Sequence, residues 1–101
     1  MKTLTGSQAK YLRGLAHGLK PVVFVGQKGV TDALLASATA ALAHHELIKI
    51  KFVDFKEKKQ KRAVARTIEE KTGAALAGMI GHIGIFYRPH DEPEKRRIVL
   101  P

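Results

Sequence analysis

The sequence predicts an α/β domain, a single two-layer unit of order αβαβαββ built on a four-stranded mixed sheet. Three observations predict it. Segments of helical periodicity alternate with short β-branched or alternating runs, the pattern of successive βαβ units. A glycine-bracketed turn, Gly26-Gln27-Lys28-Gly29, joins an apolar run to a helix-like segment. The chain of 101 residues is long enough for one core and too short for two.

Each element has its own signal. The first helix is predicted over residues 5–18. Thr5 can cap it, Gln8 holds the capping-box position, and Leu12, Leu15, Ala16 and Leu19 recur at helical spacing. Lys10, Arg13 and His17 fall on another side, so that face is basic, and Gly18 marks the end. Val22–Val25 is short, β-branched and uniformly apolar, which predicts a strand buried on both faces.

A second helix is expected from Thr31 to about His44. Thr31 is placed as N-cap, Asp32 favours the positive dipole end, and Val30 and Leu35 can form a hydrophobic staple. Leu34, Ala38, Ala41 and Leu42 make its apolar stripe. Leu47–Phe55 alternates, with Ile48, Ile50 and Phe52 on one face and Lys49 and Lys51 on the other, a solvated and basic one.

Asp54 and Glu57 are spaced as a capping box for a third helix that ends at Thr72, with Gly73 beyond it. Val64, Ala65 and Ile68 should point inward, while Lys56, Lys58, Lys59, Lys61, Arg62 and Arg66 make its first two-thirds strongly basic. Ala75–Ile80 and Ile83–Arg88 read as strands joined by a hairpin at Gly81-His82. The domain core is expected over about residues 5–89. Residues 90–101 read as a polar, mobile tail in which Ile98-Val99-Leu100 is a candidate edge strand.

Charge and composition narrow the function. Lys and Arg outnumber Asp and Glu by 18 to 9, a surface that attracts RNA, DNA or an acidic membrane. Without cysteine, disulfides, thiolate zinc sites and cysteine nucleophiles are excluded. Met1–Gln8 lacks the apolar stretch of a signal peptide and no run reaches membrane-spanning length, so a cytoplasmic location is expected. His44 and His45 are neighbours on a helix and point about 100° apart, which suits a helix C-terminus better than a shared metal ion. No nucleophile triad, paired carboxylates or Walker pattern is present, so neither an enzyme nor a cofactor, metal or small-molecule site is expected.

The Gly26–Gly29 turn points to phosphate. Glycines let backbone N–H groups approach an anion closely, and the following helix N-terminus adds unpaired donors and a positive dipole end. Lys28 would set an ammonium beside those donors, Gln27 could add a hydrogen bond, and Thr31 closes the site, while Asp32 should point away from the anion. The stripe Lys10, Arg13, His17 and Lys20 could extend this surface, against the plainer reading of a solvated helix face. Lys58, Lys59 and Arg62 are candidates of the same kind. Six aromatics, Tyr11, Phe24, Phe52, Phe55, Phe86 and Tyr87, are few for a binder of extended single strands and favour recognition of phosphates and RNA shape.

Several ordered blocks carry a family resemblance. Leu12-Arg13-Gly14-Leu15-Ala16-His17-Gly18-Leu19-Lys20-Pro21 leads into the Val22–Val25 run and the Gly26–Gly29 turn. His44-His45-Glu46-Leu47-Ile48-Lys49-Ile50-Lys51 follows, then Thr72-Gly73-Ala74, Gly81, and Phe86-Tyr87-Arg88-Pro89. Together, over roughly residues 7–89, they resemble the CRM domain (chloroplast RNA splicing and ribosome maturation) in its bacterial stand-alone, YhbY-like form. The resemblance implies an RNA-binding domain similar in fold to the C-terminal domain of translation initiation factor three. It also implies that Gly26, Gln27, Lys28 and Gly29 belong to the RNA-binding surface, by analogy with KH domains. The partner implied is large-subunit ribosomal RNA or its precursor particle. A general nucleic-acid module for DNA or non-specific RNA is the alternative. Two positions depart from the pattern: His82 stands where lysine is expected, and Gly84 replaces an apolar residue.

Overall fold

In a computed structural model, residues 3–101 are described; Met1 and Lys2, which open the stretch expected to lack a signal peptide, lie outside them. The elements run α1 Gly6–Ala16, β1 Val23–Val25, α2 Asp32–His45, β2 Leu47–Phe52, α3 Lys58–Thr72, β3 Ala75–Ile80 and β4 Ile83–Tyr87, followed by a 3-10 turn at Pro93–Lys95. The sheet order is β1-β2-β4-β3. β1 is parallel to β2, and β4 is antiparallel to both β2 and β3, so the sheet is mixed. β2 and β3 therefore run the same way, with the hairpin strand β4 inserted between them. Among the described residues no helix is long and apolar enough to cross a membrane.

Strand alternation divides the core in two. Val23, Val25, Ile48, Ile50, Phe52 and Phe86 face α2 and α3, where they meet Leu34, Ala38, Leu42, Ala65 and Ile68. Leu47, Ala77, Ile85 and Tyr87 face the other way and meet Leu12 and Ala16 of α1. The α/β class, the three helices and the four-stranded mixed sheet stand as predicted. The layering differs: α1 covers the face opposite α2 and α3, giving three layers rather than two. Element order alone does not reveal it, because the side on which α1 packs is set by contacts distant in sequence.

The helix termini show why these segments fold locally. Thr5 Oγ1 accepts from Gln8 N at 3.1 Å while Thr5 N donates to Gln8 Oε1, the reciprocal box that its spacing predicts. Thr31 caps α2, its Oγ1 accepting from Leu34 N at 3.1 Å. The predicted Asp54–Glu57 box does not form. α3 starts at Lys58 with Glu57 as N-cap and no side-chain cap bond. The intervening chain instead folds Phe55 against the first core cluster. Gly73, with φ 77°, ends α3 as expected.

Three further expectations are corrected. β1 is an edge strand, and Phe24 is 57 % exposed, so the run is buried on one face only. Lys61, expected among the solvated cations of α3, is buried, its Nζ donating to Gly81 O at 2.9 Å. The carboxyl-terminal segment is packed and forms no strand: Ile98 and Leu100 lie against the second core cluster.

Glu46 organises that packing. It sits at the C-cap of α2 with φ 63°, a left-handed conformation rarely adopted by a non-glycine residue. Its carboxylate is buried and accepts from Arg97 N at 2.7 Å, His90 N at 2.9 Å and Ile98 N at 3.3 Å. Burial pushes this carboxyl up, but the three backbone donors and the nearby His90 outweigh it and hold the group below its ordinary value.

Candidate nucleic-acid interface

The Gly26–Gly29 turn leaves the carboxyl end of β1 and delivers the chain to α2. Gly29 N donates to Gly26 O at 3.0 Å, closing the turn around Gln27 and Lys28, both exposed. Gly29 has φ 69°, which a residue with a side chain adopts only under strain. Since that amide is occupied, donors for an anion come from elsewhere. Thr31 takes up Leu34 N through its side chain and Leu35 N through its carbonyl, leaving the amides of Asp32 and Ala33 at the helix start. Thr31 thus acts first as a cap, with its hydroxyl proton still free to donate.

An open groove of about 560 Å³ runs along this junction, lined by Phe24, the four loop residues, Thr31 and the first turns of α2. Two carboxylates border it. Asp32 is exposed at the helix start, and Asp54 Oδ2 lies 4.0 Å from the point where a Cβ would stand on Gly26. An anion is therefore best accommodated on the Lys28 side of the loop.

Other candidates converge on the same end of the sheet. Val25 of β1 pairs with Phe52 of β2, and Phe52 N donates to His82 O in the hairpin turn at 2.7 Å. The Lys61–Gly81 bond holds the first turns of α3 against that turn. Phe55 reaches the loop, with its Cζ 3.7 Å from the Cβ position of Gly29. The loop, the hairpin turn and the basic start of α3, with Lys58, Lys59 and Arg62 exposed, therefore share one end of the molecule. In open α/β sheets this carboxyl end of the parallel strands is where ligands bind.

The α1 stripe is not one surface. Lys10 is exposed on the outer side of α1 near Pro101, in the layer opposite the loop. Arg13 turns inward, its guanidinium donating to Ala77 O at 2.9 Å. His17 and Lys20 are exposed where α1 hands over to β1. Lys49 is drawn to the same place, its Nζ donating to Leu19 O at 2.9 Å. His44 and His45 both lie in the last turn of α2, exposed and edge to face with ring centroids 4.6 Å apart. Among the described residues, no group of three or more potential metal ligands is gathered.

Sequence reasoning missed the structural roles of Arg13, Lys61 and Glu46. The signal for Arg13 lay in Gly78. Ala77 is the extra residue of a bulge in β3, and Arg13 supplies a donor for its carbonyl. A Cβ on Gly78 would come within 2.6 Å of Arg13 Cδ. The departure at Gly84 is likewise explained, since a Cβ there would stand 2.8 Å from the Phe86 ring and 3.3 Å from that of Phe52.

Comparison with known proteins agrees with this architecture. The CRS1 / YhbY (CRM) domain matches residues 4–88. A Haemophilus influenzae protein named "RNA-binding protein" is 45% identical over 101 residues, covering 100% of this chain and 98% of its own. The Bacillus subtilis protein named "Probable RNA-binding protein YqeI" is 34% identical over 98 residues, 97% of this chain and 99% of its own. The solution structure of the Staphylococcus aureus protein SAV1595 superposes with a TM-score of 0.84 at 32% identity, covering 98% of this chain and 100% of that one. With a family match over most of its length and relatives of this identity, the chain belongs to the CRS1/YhbY (CRM) domain family.

Proposed function

We propose that this protein binds RNA, catalyses no reaction on it, and assists assembly of the large ribosomal subunit in the cytoplasm. One observation carries the RNA reading. The glycine loop, the basic start of α3 and the hairpin turn share one end of the sheet, in a chain whose relatives are named for RNA binding. The ribosomal role rests on what the family resemblance implies for stand-alone bacterial members.

In this reading the amides at the start of α2 and the Lys28 ammonium hold one phosphate, and Gln27 and the Thr31 hydroxyl add hydrogen bonds. Lys58, Lys59 and Arg62 meet the neighbouring backbone. His17 and Lys20 extend the contact along β1, and Lys10 reaches only RNA that wraps around α1. Arg13 contributes through the fold. The reading calls for no metal, cofactor, small molecule or membrane.

Binding of structured ribosomal RNA by Lys28→Glu and Gly29→Asp tests the loop. Lys28→Glu should weaken affinity about tenfold or more, the scale of one charge-assisted contact, with the circular dichroism spectrum unchanged, and Gly29→Asp should weaken it too, by setting a carboxylate and local backbone strain in the loop. Wild-type affinity in the folded double variant would contradict the assignment. Competition with duplex DNA at equal phosphate concentration tests the partner: preference for RNA is expected, and equal competition would reduce the protein to a general nucleic-acid module.

A further inference from the structure

The register of the sheet places one row of residues across all four strands on the face that α1 covers only in part. Phe24 of β1 pairs with Lys51 of β2, Lys51 with Ile83 of β4, and Ile83 with Ile80 of β3. Neighbouring residues fix the side of the sheet. Val23 and Val25 point to the α2–α3 core, so Phe24 points away from it, and Leu47, Ile85 and Tyr87 mark the α1 side shared by Lys51 and Ile83. α1 packs mainly on β3, leaving the β1 end of this face open. Phe24 is 57 % and Ile80 62 % exposed.

Scattered apolar residues on a surface need no explanation, but this arrangement is not scattered. It is one register row, and its charged member is a lysine. The four strands carry two charged side chains, Lys49 and Lys51, both cationic and both on this face. Phe52, Phe86 and Tyr87 are buried in the core, whereas Phe24 stands free beside an exposed ammonium. It also lines the groove that contains the glycine loop.

From this we infer that the open sheet face is a stacking platform for unpaired RNA bases, with a base on Phe24 and its backbone against Lys51. The inference deepens the RNA reading above and rests on it: a strand whose phosphate is held at Lys28 continues onto the sheet rather than ending at the loop. Stacking on an aromatic ring is tolerant of base identity, and each stacked base strengthens binding about five- to 150-fold. The favoured RNA is then a structured element carrying a short single-stranded segment.

The chain contains no tryptophan, so Phe24→Trp creates a single fluorescent reporter at the platform. The probes are a short unstructured RNA and a blunt-ended RNA duplex of equal phosphate count. Base stacking should quench the new tryptophan when the unstructured RNA binds, and Phe24→Trp should bind as tightly as wild type. Phe24→Ala should weaken the unstructured RNA about five- to 150-fold and leave the duplex within about twofold. Unquenched fluorescence on saturation, or equal effects of Phe24→Ala on both RNAs, would overturn the platform. Loss of self-association in Phe24→Ala without any change in RNA binding would overturn it too, assigning the face to a second copy of the chain. Lys28→Glu separates the two readings: if it alone loses both RNAs, the loop stands and the platform falls, and if only Phe24→Ala matters, the reverse holds.

Discussion

Arg13 shows how a residue read as part of a ligand surface can serve the fold instead. A bulge leaves the Ala77 carbonyl without its ladder partner, and the guanidinium donates to it across the glycine that makes room. Removing one partner of a part-buried hydrogen bond costs about 1–3 kcal/mol. Arg13→Ala should therefore lose about that much stability in urea denaturation, while its RNA affinity, measured where it remains folded, should stay close to wild type. A large affinity loss in the folded variant would return Arg13 to the interface. Glu46 is the second case. Its carboxyl is held below the ordinary value, so its contribution is present above the unfolded pKa and lost as pH falls through the folded one. Wild-type stability should begin to fall as pH drops through the ordinary value of this carboxyl, 4.5, and continue below it. In Glu46→Gln this part of the pH dependence should vanish, with stability at neutral pH lowered by about 1–3 kcal/mol.

At the scale of elements, the apolar periodicity was sufficient for all three helices and all four strands, because each buries a face whose spacing is local. What it could not reveal was which element lies at an edge. The run Val22–Val25 looks the same whether one face or two are covered, and only the non-local order β1-β2-β4-β3 leaves Phe24 in solvent. The carboxyl-terminal segment is packed where its composition predicts a mobile tail, for a related reason. Its polar composition hides two anchors, Ile98 and Leu100, whose docking depends on Glu46, about fifty residues earlier in the chain. Deleting residues 96–101 should uncover part of the second core cluster, Leu47 included, and lower stability by a few kcal/mol, about 25 cal/mol for each Å² of apolar surface exposed. An unchanged denaturation midpoint would show that this packing contributes nothing. The candidate site was legible where local chemistry defines it, at Gly26–Gly29 and the Thr31 cap. It was not legible where long cations choose between solvent and a carbonyl, as Lys61 and Lys49 do.

For the whole molecule, the excess of cations is spread over both sides of the sheet, but the geometry brings several of them to one end. Lys28 stands in the loop there, Lys58, Lys59 and Arg62 are exposed on the first turns of α3 at the same end, and Lys51 stands on the adjoining open face. If about five phosphates are engaged, affinity should fall by about two to three decades between 50 and 200 mM salt. Lys28→Glu should flatten that slope by about one counterion, whereas Phe24→Ala should leave it unchanged. A slope near zero would rule out a phosphate-dominated interface. Whether the Gly26–Gly29 loop holds ribosomal RNA is decided by crosslinking in cells with sequencing of the bound fragments. Clustering on large-subunit ribosomal RNA or its precursor, lost in Lys28→Glu, is expected. Reads scattered evenly over all transcripts, or clusters unchanged by that substitution, would contradict it.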